Sequence, residues 1–190
     1  MKREGIPTEY KWLRFRSRLE ATWARFFDLV GWKWKYEPFD YDGYIPDFAL
    51  LFPAGNILAE VKPCLTLEEM RQHTEKIDAS PWKHEALILG VGLLGESDSY
   101  GYPRHLGLHR HYDIHPTEGY WEPAVILKCQ DHVTFRSSDG GWWCRYGGKD
   151  HQEFVGYEGE RNSWFDEKWA LAQNLVQWAP KMFGVESANV

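Results

Sequence analysis

Long hydrophobic runs are missing from this 190-residue chain. None approaches the roughly 20 apolar residues that a membrane helix needs, so no membrane partner is expected. Cysteine is scarce. The three cysteines, Cys64, Cys129 and Cys144, are odd in number and widely spaced, which excludes a disulfide framework. The opening residues, MKREGIPTEYKW, lack the apolar segment of a secretory leader, and the cytoplasm is the expected compartment. A positive net charge is missing as well. The net charge of −6 argues against a protein that coats DNA indiscriminately. Internal repeats and low-complexity segments are absent. What the chain has in abundance is aromatic side chains. Hydrophobic residues make up 43%, aromatics 16%, and there are 11 Trp, so the chain folds and can bury a substantial core.

The charge is unevenly spread. Residues 1–35 hold nine basic and four acidic residues, a surplus of five positive charges that leaves the remainder with a deficit of eleven. Such a segment suits a phosphate-binding face, and equally a solvated surface helix. Residues 13–30 have Phe15, Leu19, Trp23, Phe26, Phe27 and Val30 at helical spacing and stop at Gly31. GWKWKYEPF alternates as a strand, and YIPDFALLF and NILAEVK are strands around the loop PAG. TLEEMRQHTEKIDAS reads as one helix that starts with Thr66 and Glu69 at capping-box spacing. ALILGVGLL is apolar throughout, as in a central strand covered on both faces. Residues 95–123 read as a long irregular loop with short strands at most. AVILKC, HVTF and GGWWCRYGG read as strand pieces, and SWFDEKWALAQNLVQWAP as a final helix ended by Pro180. The expected order is α–β–β–β–α–β, an α/β fold with a mixed central sheet flanked by helices. A core over residues 1–123, a β-rich insertion over 124–155 and a C-terminal helix over 156–190 would form one structural domain.

The segment YIPDFALLFPAGNILAEVKP places Asp47, Glu60 and Lys62 among apolar residues. Side chains alternate along a strand, so Glu60 and Lys62 share one face, about 7 Å apart. In an antiparallel hairpin, opposed residues have a constant number sum and point to the same face. A sum of 107 sets Asp47 opposite Glu60, a sum of 109 sets it opposite Lys62, and an even sum scatters the three groups. Two facing carboxylates repel and lose hydration unless a cation sits between them. Carboxylate oxygens, water and phosphate are what Mg²⁺ prefers, and such a set suits phosphodiester hydrolysis. An exposed edge hairpin with a structural ion pair is the plain alternative.

Pro46-Asp47, a short hairpin, then Glu60-Val61-Lys62 resembles the PD-(D/E)XK nuclease superfamily, over residues 14–95 in order and spacing. Arg16-Ser17-Arg18-Leu19-Glu20, followed by Trp23 and Phe26-Phe27, looks like the helix that often adds an acidic residue in that superfamily. The resemblance is closest to small endonuclease-like proteins of bacteria and their phages, and so to a bacterial or phage-infected cell. It implies a restriction-endonuclease-like αβββαβ core that cuts DNA with Mg²⁺ or Mn²⁺. Asp47, Glu60 and the Val61 carbonyl would be metal ligands, Glu20 would reach the metal through water, and Lys62 would assist the nucleophilic water. Glu20 can equally serve as a salt bridge to Arg16. Arg14, Arg16, Arg18, Gln72 and Lys76 are the candidate nucleic-acid contacts, with surface solvation the alternative for the arginines.

Cys129-x2-His132 followed by Cys144-x2-Gly147 resembles a zinc ribbon that has lost its fourth ligand. His151, Asp150 or one of His105, His109, His111 and His115 would have to complete it. The favoured expectation is a β-hairpin extension without metal, with Cys129 and Cys144 as buried thiols. The histidine run HLGLHRHYDIH fits no common metal motif and reads as a solvated loop, and Trp142 and Trp143 are candidates for base stacking. The expected activity is a metal-dependent DNA endonuclease, possible also as a homodimer. The rivals are a non-cutting nuclease-fold protein, such as a phage-encoded inhibitor of a host protein or a reader of DNA structure, and a nuclease directed at RNA.

Overall fold

The computed structural model describes residues 5–95, 104–111, 119–129, 132–137, 145–146 and 160–176, apart from the side chains of 160–162. A small hairpin opens the fold, β1 (Thr8–Tyr10) with β2 (Leu13–Phe15). Helix α1 (Arg18–Leu29) follows, then β3 (Lys33–Tyr36), β4 (Phe48–Phe52) and β5 (Gly55–Val61) as an antiparallel meander. Two short helices, α2 (Leu67–Arg71) and α3 (Thr74–Ala79), lead to β6 (Ala86–Leu94), which pairs parallel with β5. Strands β7 (His105–His111), β8 (Tyr120–Cys129) and β9 (His132–Ser137) extend the sheet antiparallel, and α4 (Glu160–Leu175) closes the described chain. The result is an α/β fold with one mixed seven-stranded sheet in the order β3-β4-β5-β6-β7-β8-β9. No helix among the described residues is long and apolar enough to cross a membrane.

The sheet buries both faces because its strands carry apolar residues on both. Ile57, Ala59 and Val61 join Trp23, Phe26, Phe27 and the α4 residues Phe165, Trp169 and Ala172 in the larger cluster. Leu58, Ile88 and Leu108 join Met70 and Ile77 of the short helices in the smaller one. Trp23 packs against Trp169 with tilted rings 4.5 Å apart and donates its indole N–H to the Gly90 carbonyl at 2.8 Å, which locks α1 to α4 and to β6. The Phe165, Trp169, Ala172 and Val176 stripe expected for the last helix is buried, although the helix begins at Glu160, ahead of Ser163.

Several elements differ from their sequence expectation. The helix expected over 13–30 begins at Arg18, where Ser17 caps it by accepting from the Glu20 amide at 3.2 Å. Residues 13–15 instead pair with β1, around a tight turn in which Lys11 and Trp12 both have positive φ. Gly31, also at positive φ, ends α1 as expected, and the Trp32 amide returns to the Phe27 carbonyl. The single helix expected after residue 66 is two, broken at Gln72 and His73. The largest correction concerns residues 95–123. Over residues 105–111 the histidine run is a strand and not a solvated loop. His109, Arg110 and His111 lie in β7 and are almost wholly buried. Strand β8 runs across the expected boundary at 123/124, and β8 and β9 continue the main sheet.

Candidate functional site

The hairpin register decides the site. Phe48 pairs with Ala59 and Phe52 with Gly55 across the two-residue loop Pro53–Ala54, so paired numbers sum to 107. One step further, this register puts Asp47 opposite Glu60, with Lys62 two residues on along the same face. Asp47 and Glu60 are buried, 3% and 2% exposed. Asp47 Oδ2 accepts the Val61 amide at 2.7 Å. An extended residue turns its N–H and C=O to the same edge of its strand, so the Val61 carbonyl also faces β4. The Lys62 ammonium pairs with Glu60 and lies 3.8 Å from Asp47 Oδ2.

Two cations therefore hold two carboxylates. Lys62 serves Glu60, and the Arg16 guanidinium, half exposed, pairs with Asp47 and with Glu37 at 2.9 Å. The balance is incomplete. Burial, and next the charge of Glu60, push the Asp47 carboxyl up to about 6, against the pull of Lys62 and of the Val61 N–H. Glu60 Oε1 is buried with no hydrogen-bond partner. The nearby Tyr44 hydroxyl is buried too and makes no hydrogen bond of ordinary geometry. Burial and then the Glu60 charge drive its pKa far up, so it stays a neutral phenol. An orphaned carboxylate oxygen is costly in an apolar setting.

Glu20 reaches this group from α1. Tyr36 donates to its Oε2 at 2.6 Å, the Arg16 amide donates to the same oxygen at 3.2 Å, and the Ser17 hydroxyl donates to Oε1 at 2.7 Å. The Arg16 side chain stands 4.0 Å from it, so the expected ion pair exists, but Glu20 is held chiefly by three neutral donors. Glu20 thus fixes Arg16 and Tyr36 around Asp47, with both of its oxygens already engaged.

The remaining candidates fall in different places. Lys76 on α3 sits 5.3 Å over the Tyr44 ring, and Gln72 is exposed at the end of α2. Arg14 is exposed on β2, and Arg18 is half-buried at the start of α1. Of the candidate zinc set, Cys129 is buried and His132 is its cross-strand partner, stacked on Tyr146 at 4.4 Å. Cys144, Gly147, Asp150 and His151 lie outside the described residues, as do His115, Trp142 and Trp143. His109 is bonded to Ser137 and Glu85, and His111 to Glu122, so neither is directed at Cys129.

Sequence reasoning missed Tyr36 and Tyr44, the two phenols that flank the carboxylates. Tyrosine in place of phenylalanine at these positions was the available signal. Among the described residues, no three His, Cys, Asp or Glu side chains converge as a ready-made metal site. Asp47 and Glu60 would need the Val61 carbonyl and oxygens from water or substrate to complete a coordination shell. Hard divalent cations accept such mixed oxygen sets, and the Glu60 oxygen without an ordinary hydrogen bond, beside a proton-prone Asp47, is compatible with one. No protein-family model matches the chain, and neither a curated protein nor a solved structure is significantly similar to it.

Proposed function

We propose that this chain is a metal-dependent deoxyribonuclease of the PD-(D/E)XK type, on a restriction-endonuclease-like core. One observation carries the reading: a buried Asp47–Glu60 pair set face to face by the hairpin register, with Lys62 against it and one Glu60 oxygen unpartnered. Asp47, Glu60 and the Val61 carbonyl would hold Mg²⁺ or Mn²⁺, with Glu20 outside them. The bound cation would acidify a water and offset charge on the scissile phosphate. Lys62 keeps a positive donor beside both carboxylates, where it can orient the attacking water and stabilise developing charge. Arg16 presents a half-exposed guanidinium at the mouth of the site, suited to a non-bridging phosphate oxygen. Burial of Asp47 and Glu60 keeps bulk water from weakening these interactions. Attack by water opposite the leaving oxygen inverts the phosphorus and needs no covalent intermediate.

Supercoiled plasmid incubated with the protein and Mg²⁺ is expected to be nicked, and EDTA or Asp47→Ala to abolish nicking. Equal cutting by Asp47→Ala and wild type would overturn the mechanism. The Arg16–Asp47 ion pair supports a second reading, in which cations of the chain itself replace the metal and the protein only binds, as an inhibitor of a host protein or a reader of DNA structure. Calorimetry with Mg²⁺ and Mn²⁺, beside pull-downs on host nucleases, separates the two.

A further inference from the structure

We infer that the loop between β3 and β4 carries a nucleobase-stacking rim beside the carboxylate site, and that the substrate is DNA with unpaired bases. This rests on the nuclease reading above. The rim is built from Phe39, Tyr41 and Trp82. Phe39 and Tyr41 are each 37% exposed. The ring centroids are 5.7 Å apart for Phe39–Tyr41, 6.3 Å for Phe39–Trp82 and 6.0 Å for Tyr41–Trp82. Trp82 is fixed by donating its indole N–H to the Glu85 carbonyl at 2.9 Å.

The rim is held rigid. Tyr41 and Tyr44 exchange both backbone hydrogen bonds, at 2.8 and 3.1 Å, across a turn whose central residues Asp42 and Gly43 have φ of 55° and 85°. Asp40 accepts the Gly43 amide at 2.7 Å and secures the same turn. Residues paired across such a turn lie about 5 Å apart. Tyr41 therefore stands one cross-strand step from Tyr44, whose hydroxyl faces Glu60, and six residues of chain from Asp47. A single short loop carries both the exposed rings and the buried acid.

The charge pattern selects bases as the occupant. Asp40 and Asp42 line the turn and repel phosphates, while Lys62, Lys76 and Arg16 stand on the side toward the carboxylates. A strand whose phosphates follow the cations lays its adjacent bases on the rings. Rings stack only on bases that are free of a duplex, and any base serves because each has a π-face.

The test uses the full chain in EDTA, so that nothing is cut, with a fluorescein-labelled oligothymidine and a duplex of equal length read by anisotropy. Phe39→Ala/Tyr41→Ala should weaken oligothymidine binding about tenfold or more and duplex binding by less than about twofold. Phe39→Tyr/Tyr41→Phe, which keeps both rings, should bind oligothymidine as wild type does. Equal loss on both probes, no loss on either, or tighter binding of oligouridine than of oligothymidine would overturn the inference. Plasmid nicking with Asp47→Ala is run alongside. If nicking depends on Asp47 while the alanine pair changes no binding, the rim fails and the nuclease reading stands. If nicking ignores Asp47 while the alanine pair loses only oligothymidine, the rim stands and the nuclease reading falls.

Discussion

At the scale of single residues, the site is a set of charges that the chain only partly reconciles. Glu60 has one oxygen on Lys62 and the other near the Tyr44 hydroxyl without a hydrogen bond of ordinary geometry, and its charge helps hold a proton near Asp47. Glu60→Gln removes that charge and, on the nuclease reading, one proposed ligand oxygen while keeping the shape. Loss of groups that merely support a ligand costs about 10–100-fold in metal affinity, so losing a ligand should weaken Mg²⁺ or Mn²⁺ binding by more than about 100-fold. Isothermal calorimetry checks this, and unchanged affinity would remove Glu60 from the site. Tyr36 makes a quieter contribution. Its hydrogen bond to Glu20 at 2.6 Å is part of what steadies Arg16, and Tyr36→Phe should cost about 1 kcal/mol in urea unfolding. The carboxylates and Lys62 were legible in the sequence because alternation and an odd number sum leave them on one face. The phenols were not, because the period-two pattern assigns Tyr36 and Tyr44 to strands and says nothing about which hydroxyl meets which acid.

At the scale of elements, the meander β3–β4–β5 and the parallel β5–β6 pair were legible, since apolar runs bounded by Gly, Pro and Asp mark strands and a helical segment must separate parallel neighbours. The start of α1 was not. The apolar stripe runs from Phe15 to Val30, but Phe15 is buried from a strand, 4.4 Å from Tyr36, and the helix waits for its Ser17 cap. Ser17→Ala should destabilise the protein by about 1 kcal/mol through the lost cap and also release one oxygen of Glu20. Urea unfolding reads the first effect. The β1–β2 hairpin tells the opposite story. Trp12 is fully exposed, has φ of 66° and buries no surface. A left-handed conformation costs an L-residue about 1–2 kcal/mol, which glycine avoids. Trp12→Gly should therefore raise stability by roughly 1 kcal/mol, and a drop in the unfolding midpoint would show that the tryptophan has a packing role in this fold.

At the scale of the whole molecule, the far half of the sheet is tied in by polar contacts between segments distant in sequence. Arg110 on β7 reaches Asp78 at 2.8 Å and the carbonyls of Trp82 and His84. Arg145 grips Glu85 with two bonds of 2.8 Å, and Glu85 also meets His109 at 3.0 Å. No local pattern announces such partners, which is why β7 looks like a solvated loop in sequence and is a buried strand in the fold. The same network sets a direction for acid stability. Burial, outweighing the Glu85 bond, lowers His109 to about 4, so the folded chain resists a proton that the unfolded chain accepts near 6.5. Its stabilising share is complete above pH 6.5 and is lost as pH falls toward 4. Burial alone would raise the Glu85 carboxyl, but the His109 and Arg145 hydrogen bonds overcome it and hold it well below its usual 4.5, so its share is lost on further acidification below that value. Asp47, raised to about 6, runs the other way between pH 4 and 6 and must be cancelled. Comparing wild type with His109→Gln at each pH does so, because Asp47 is common to both. The difference in unfolding free energy should change by up to about 1.4 kcal/mol per pH unit between pH 6.5 and 4, wild type losing more as the solution is acidified. A difference that stays constant over that range would mean that His109 titrates alike in the folded and unfolded chains, and that the network around Glu85 is open to water.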